Sequence, residues 1–215
     1  IARFYGVRPG KVHVVPEGVD TATFRPIDNR ERLSEWRIRQ FGSDAPFIAY
    51  VGKPIERRNL SHLIRAFALL KKQDGMPHKL LIAGADLPGD SPFRQVIASE
   101  GVSQDVVVLG YVGHEEMALL YGAADLLVYP SSYEGFGMPV LEAMACGAPV
   151  IALRNTAFPE FAGGVAHLLD NAEVPTLREG IHAVLTNPAW RARMSNDGPR
   201  RAADYDWGLI TRRYL

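Results

Sequence analysis

Between residues 47 and 194 the chain alternates short unbroken apolar runs with longer segments of helical periodicity, and this alternation constrains the fold more than any single motif. The runs are Phe47–Val51, Leu80–Ala83, Val106–Leu109, Leu126–Tyr129, Val150–Ala152 and Ala166–Leu169. The helical segments are Leu60–Lys71, Phe93–Ser99, Glu115–Tyr121, Val140–Cys146, Leu177–Leu185 and Ala189–Met194. A strand with one wet face alternates polar and apolar residues, whereas these runs, His167 excepted, are continuously apolar, as strands buried on both faces are. The pattern therefore predicts an α/β fold: a doubly wound parallel sheet with helices on both faces, as a single domain over residues 1–215. Such sheets bind ligands beyond the carboxyl ends of their strands, which puts the loops after Val51, Leu109 and Tyr129 at the expected site. The stretch from Gly84 to Pro92 is rich in turn formers and is expected to be a mobile surface loop.

Composition removes several function classes. Lys plus Arg and Asp plus Glu both number 24, so no global basic field invites nucleic acid. The six histidines show no metal-ligand spacing, and Gly135-Phe136-Gly137 lacks the third glycine of a dinucleotide fingerprint, so neither a metal nor a cofactor is expected. Cys146, the single cysteine, reads as a small core residue. No apolar stretch approaches the roughly 18 residues of a membrane helix, and Ile1-Ala2-Arg3-Phe4 is not a signal peptide, so a soluble, cytoplasmic chain is expected.

One segment concentrates chemistry. A strand-like run from Asp125 to Pro130 feeds Ser131-Ser132-Tyr133-Glu134-Gly135-Phe136-Gly137-Met138-Pro139-Val140-Leu141-Glu142. Pro139 sits where a first helical residue is favoured, because its missing amide would have no partner there. Val140 to Cys146 is almost wholly apolar except for Glu142, a carboxylate that is costly in such a helix unless something donates hydrogen bonds to it. Gly135 and Gly137 allow backbone amides to approach a ligand at a helix N-terminus, where aligned dipoles favour an anion.

Glu134 and Glu142, with seven residues between them, resemble the Glu-x7-Glu hallmark of the family 4 glycosyltransferases, in their C-terminal, donor-binding half. The likeness spans nearly the whole chain. Val14-Val15-Pro16-Glu17-Gly18-Val19-Asp20 with Phe24-Arg25-Pro26 resembles the family's lead-in to this domain, with Glu17 where Asn is usual. Gly52-Lys53 and Arg58-Asn59 are similar to its phosphate-binding pair, with both cations exchanged, Lys for Arg and Arg for Lys. Leu109-Gly110-Tyr111-Val112, Glu115-Glu116-Met117 and Pro159-Glu160 before Gly163-Gly164 follow in the family's order. The resemblance implies the Rossmann-like C-terminal half of a GT-B fold. Residues 1–30 would form a leading segment, and residues 204–215 a closing helix that crosses to an N-terminal domain absent from this chain.

The resemblance also implies roles. Lys53 and Arg58, beside Gly52, would neutralise a diphosphate; Glu142 would accept from ribose hydroxyls; Glu134 would contact the transferred sugar. Gly135, Phe136, Gly137, Met138 and Leu141 would line sugar and phosphate, and Tyr111 and Val112 would meet the base. Bland alternatives remain open for several: turn glycines at 135 and 137, a structural carboxylate at 142, an ordinary strand end at 111–112. Arg57 reads as part of a solvated charge run. The implied function is the donor half of a retaining glycosyltransferase that moves a sugar from a nucleoside-diphosphate sugar to an acceptor glycan, lipid or small molecule, without cofactor, and inactive alone. The full-length enzyme would be cytoplasmic or peripheral at the membrane. A module that binds the nucleotide and transfers nothing is the alternative.

Overall fold

A computed structural model describes residues 2–212. Six strands, β1 (Phe47–Val51), β2 (Lys79–Ala83), β3 (Val106–Gly110), β4 (Leu126–Tyr129), β5 (Val150–Leu153) and β6 (His167–Leu169), form one sheet in the order β3-β2-β1-β4-β5-β6. Every pairing is parallel. Ten helices accompany them among the described residues: α1 (Ala2–Tyr5), α2 (Arg30–Phe41), α3 (Leu60–Asp74), α4 (Pro92–Ser99), α5 (His114–Ala123), α6 (Met138–Ala145), α7 (Phe158–Phe161), α8 (Val174–Leu185), α9 (Pro188–Ala203) and α10 (Trp207–Thr211).

The apolar runs are strands because both of their faces are covered. Along β1, Phe47, Ala49 and Val51 join one core with Trp36, Tyr121, Leu141 and Phe158, while Ile48 and Tyr50 join a second core with Leu63, Phe67 and Ile181. Helices α2, α5 and α6 thus cover one face, and α3, α4 and α8 the other. The chain winds outward from β1 to β3, then returns to lay β4 on the free side of β1, so the loops leaving β1 and β4 diverge around a crevice.

Each expected strand forms, within a residue or so at its ends. Helix α2 was not foreseen: its sequence, RERLSEWRIRQF, is polar nearly all round, and Trp36 is its one fully buried residue. Capping secures it at both ends. Asn29 accepts from the Arg32 amide at its start, and Gly42 closes it in the left-handed conformation at φ 71°. Helix α9 runs to Ala203 rather than ending near Met194, passing through Pro199. Its anchor is Gly198, where an added Cβ would lie 2.8 Å from the Met144 carbonyl oxygen, so α9 crosses α6 backbone to backbone.

The loop from Gly84 is less free than its composition suggests. Gly84 N–H donates to Gly110 O at 2.7 Å, Leu87 is buried, and Pro88 to Asp90 are the exposed tip. The closing helix is α10, beginning at Trp207 rather than at 204; the last residues of the expected stretch, 213–215, lie outside the described residues. The segment before it pairs with the leading segment: Val19 bridges Asp206, Trp207 N–H donates to Val19 O at 3.2 Å, and Thr21 donates to the Asp206 carboxylate.

Candidate functional site

The loops leaving β1 and β4 are tied together across the crevice. After β1 the chain turns at Gly52, with φ 133°, where a Cβ would fall 2.4 Å from Arg58 Nη1. Only glycine lets the Arg58 side chain fold back over this turn. A short 3-10 turn, Glu56–Arg58, then presents both arginines, and Asn59 follows with φ 50°. The Asn59 amide donates to Pro130 O and Ser132 Oγ, both at 2.8 Å, and Ser132 N–H returns a bond to Arg57 O at 2.7 Å. Three hydrogen bonds therefore join the arginine turn to the glutamate turn.

At their junction sits Glu134, buried to 8% exposure. Its Oε1 accepts from Arg58 Nε at 2.8 Å, Ser131 Oγ at 2.9 Å and Tyr129 Oη at 3.0 Å. Burial alone would raise this carboxyl, but the bonds from Arg58, Ser131 and Tyr129 outweigh it and hold the group below its ordinary 4.5. Arg58 also lies over the Tyr129 ring, 5.5 Å from its centroid. Burial and the neighbouring Glu134 raise the Tyr129 hydroxyl well above its usual range against the pull of Arg58, so it stays a donor.

Beyond Glu134 the chain enters α6 through Gly137, at φ 100°. The helix starts at Met138, so Pro139 is its second residue rather than its first. Among the described residues the amides of Gly135, Phe136, Gly137 and Met138 have no protein acceptor, leaving several donors at a helix N-terminus. Phe136 stacks on Phe161 with centroids 4.7 Å apart, which fixes the turn from behind. Glu142 lies one helical turn further on, where Tyr121 Oη donates to its Oε2 at 3.0 Å. Burial raises the Glu142 carboxyl, and the Tyr121 bond and the nearby His114 oppose that rise only in part. Cys146 at the end of α6 is buried, and desolvation with the Glu142 charge pushes its thiol up to about 12, as a core residue's would be.

The loop after β3 reaches the same rim. At Gly110, φ 70°, a Cβ would meet Asp86 Oδ1, so the strand can end against the Gly84 loop. The next two residues then part company: Tyr111 is 83% exposed and Val112 is packed in the core.

The structure thus brings Gly52, Arg58 and Glu134 into contact, and the amides of residues 135–138 follow Glu134 at the start of α6. Lys53 is on its edge, with its side chain exposed and its carbonyl accepting from Tyr50 Oη at 3.3 Å. Leu141 stands apart, its side chain fully buried in the core. The greatest departure from expectation is Arg57. It is exposed, as a solvated charge would be, yet it is not free: its Nε donates to Tyr133 O at 2.9 Å and its Nη2 faces Glu134 Oε2 at 3.5 Å. Tyr129, Ser131 and Tyr121 had no assigned role in the sequence, and Asn59, named there only as part of the phosphate-binding motif, ties the two loops instead. Ser131 and Tyr129 are near enough to Glu134 in sequence to have been suspected, whereas Tyr121 carries no local signal.

Comparison with known proteins accords with this geometry. A profile of the family described as "Glycosyl transferases group 1" matches residues 34–201. An MMP alpha-(1->4)-mannosyltransferase of Mycolicibacterium hassiacum is 33% identical over 210 residues, covering 96% of this chain and 47% of the relative. Among solved structures, a sucrose-phosphate synthase from Thermosynechococcus elongatus superposes with TM-score 0.81 at 27% identity, over 99% of this chain and 53% of that one. Anabaena Alr3699/HepE, in complex with UDP and glucose, superposes with TM-score 0.83 at 22% identity, over 99% and 58%. The chain spans about half the length of the curated relatives it matches. No helix among the described residues is long and apolar enough to cross a membrane. With the sheet order, the crevice and these matches together, the chain belongs to the group 1 glycosyl transferases and has the fold of their GT-B C-terminal domain.

Proposed function

We propose that this chain is the donor-binding half of a retaining glycosyltransferase, taking a nucleoside-diphosphate sugar in the crevice between the loops of β1 and β4. The observation that carries this reading is the pairing of Arg58 and Glu134 beside a row of unengaged amides at the start of α6. Cation and amides suit a diphosphate, and a buried carboxylate held ionised suits a sugar hydroxyl. A protein of the same fold has been solved with UDP and glucose, which supports the same class of ligand here.

In this reading Arg58 and Lys53 meet the phosphates, with Gly52 giving Arg58 its room. The amides of Gly135, Phe136, Gly137 and Met138 face the phosphates and the sugar. Glu134 accepts from a sugar hydroxyl. Glu142, with Tyr121 occupying one oxygen, offers the other to the ribose diol, and the base lies along Tyr111 and Val112. During transfer the bond between the anomeric carbon and the diphosphate oxygen breaks, and the acceptor oxygen bonds to that carbon on the same face. The acceptor proton passes to a departing phosphate oxygen, while Arg58, Lys53 and the amides stabilise the charge on the diphosphate. The acceptor, a glycan, lipid or small molecule, would be bound mainly by the portion that relatives have and this chain does not span.

Calorimetric titration of the chain with UDP, GDP, ADP and their sugar conjugates tests the reading; absence of binding by all of them would end it. Two variants assign the subsites. Glu142→Gln should weaken a nucleotide with a ribose diol by on the order of 2 kcal/mol, and a 2′,3′-dideoxy nucleotide far less. Equal weakening would make Glu142 a structural carboxylate. Glu134→Ala should leave the free nucleoside diphosphate within a few-fold of its parent affinity and remove the extra affinity due to the sugar. Loss of both together would place phosphate, rather than sugar, at this turn.

A further inference from the structure

We infer that Arg57 is a positioning residue for Glu134, holding its second carboxylate oxygen in line for the donor sugar; this rests on the reading of Glu134 as the sugar contact. The two oxygens of Glu134 are treated unequally. Oε1 receives three donors, from Arg58, Ser131 and Tyr129, at 2.8 to 3.0 Å. Oε2 faces Arg57 Nη2 at 3.5 Å and has no other partner among the described residues. It is therefore the oxygen with capacity left for a ligand hydroxyl.

An exposed arginine ordinarily adds little to its partner, because solvent screens the pair and the long side chain resists ordering. Two features set Arg57 apart. Its guanidinium is held by the 2.9 Å bond from Nε to the carbonyl of Tyr133, the residue just before Glu134, and its partner's side chain is only 9% exposed. The backbone beneath it is held as well, because its own carbonyl accepts from Ser132 N–H at 2.7 Å and from Asn59 Nδ2 at 3.3 Å. Arg57 thus fastens the Glu134 turn by main chain and side chain at once. When Arg58 turns its charge toward a diphosphate, Arg57 is the cation that stays with Glu134. Lysine could supply the charge but not both directed bonds, since these need the planar fork.

The test compares the parent chain with Arg57→Gln and Arg57→Lys in two measurements. The first, which needs no ligand, is the NMR-detected titration of the Glu134 carboxyl. Arg57→Gln should move it to higher pH, and Arg57→Lys should move it less; an unmoved titration in Arg57→Gln overturns the inference whatever the chain binds. The second is titration with UDP, GDP and ADP and their glucose conjugates. For the pair that binds the parent, Arg57→Gln should reduce the gain in affinity due to glucose by about three- to tenfold, with the free diphosphate changed less than twofold. Arg57→Lys should recover part of that gain. Equal weakening of both ligands overturns the inference by making Arg57 a phosphate contact, and an unchanged glucose gain overturns it too. If no pair binds the parent chain while the carboxyl titration shifts as expected, it is the donor-site reading that fails, and the link between Arg57 and Glu134 stands.

Discussion

Replacing Arg58 by alanine is expected to weaken nucleoside diphosphate binding tenfold to a hundredfold and, at the same time, to destabilise the chain. The affinity loss follows from removing charge-assisted hydrogen bonds worth roughly 1.5 to 3 kcal/mol. The stability loss follows from Glu134, which keeps Ser131, Tyr129 and Arg57 but loses its shortest bond, at 2.8 Å, inside a nearly closed environment. Leaving a buried charged acceptor short of a donor costs about 1 to 3 kcal/mol, or several degrees of melting temperature for a chain of this size. Adding Glu134→Gln to Arg58→Ala removes the uncompensated charge, so the double variant should regain most of the stability and none of the diphosphate affinity. Lys53→Ala gives the contrast, with weaker binding and unchanged stability, since that side chain is exposed. Calorimetric melting and titration of the four proteins decide the matter; recovery of affinity in the double variant would mean that Arg58 serves Glu134 alone and does not touch phosphate.

The same pair sets a pH dependence. Glu134 is held below its ordinary 4.5 in the folded chain, so the unfolded chain binds the proton more readily. Its contribution to stability is complete above about 4.5 and is lost as pH falls through the folded value. Parent and Arg58→Ala should therefore differ most at neutral pH and converge in acid.

The sheet was legible because burial on both faces leaves no choice of residue: Leu126–Tyr129 is apolar at every position, and it is a strand with those ends. Helix α2 escaped because its stability comes from caps and one buried Trp36 rather than from an apolar stripe. The far end of α9 escaped because Pro199 suggests an interruption, yet packing of Gly198 on Met144 carries the helix past it. At the site, the residues with chemical groups could be picked out one by one, but their partnerships could not. Arg58 and Glu134 are 76 positions apart, and Tyr121 and Glu142 are 21 apart. Such pairs depend on which strands become neighbours, and the adjacency of β1 and β4 is a property of the winding rather than of either segment. Arg57 shows the consequence: beside Arg58 and Glu56 it looks like a surface charge, and only the returning β4 loop gives it something to hold.

Gly137→Ala should be among the most damaging single changes in the chain, although it adds one methyl group. At φ 100° an L-residue is strained, at a cost of about 1 to 3 kcal/mol. The new Cβ would also lie 2.4 Å from Phe158 Cε1. That ring is fully buried, edge-on to both Tyr129 and Phe161, so it has no room to retreat, and overpacking of this kind adds about 1 to 3 kcal/mol more. The sum approaches a large share of the 5 to 15 kcal/mol that holds a typical domain together. Gly135→Ala is the control two residues away, because nothing lies within 4 Å of its added Cβ and its φ is not in the left-handed region. Denaturant titration should show Gly137→Ala destabilised by several kcal/mol and Gly135→Ala nearly unchanged. Adding Phe158→Leu to Gly137→Ala should lessen the clash, yet the diphosphate affinity should stay low, because the φ strain at residue 137 still distorts the backbone that carries the amides at the start of α6. A Gly137→Ala chain that kept both its stability and its diphosphate affinity would show that this turn needs no glycine and that its amides do not form the anion cradle.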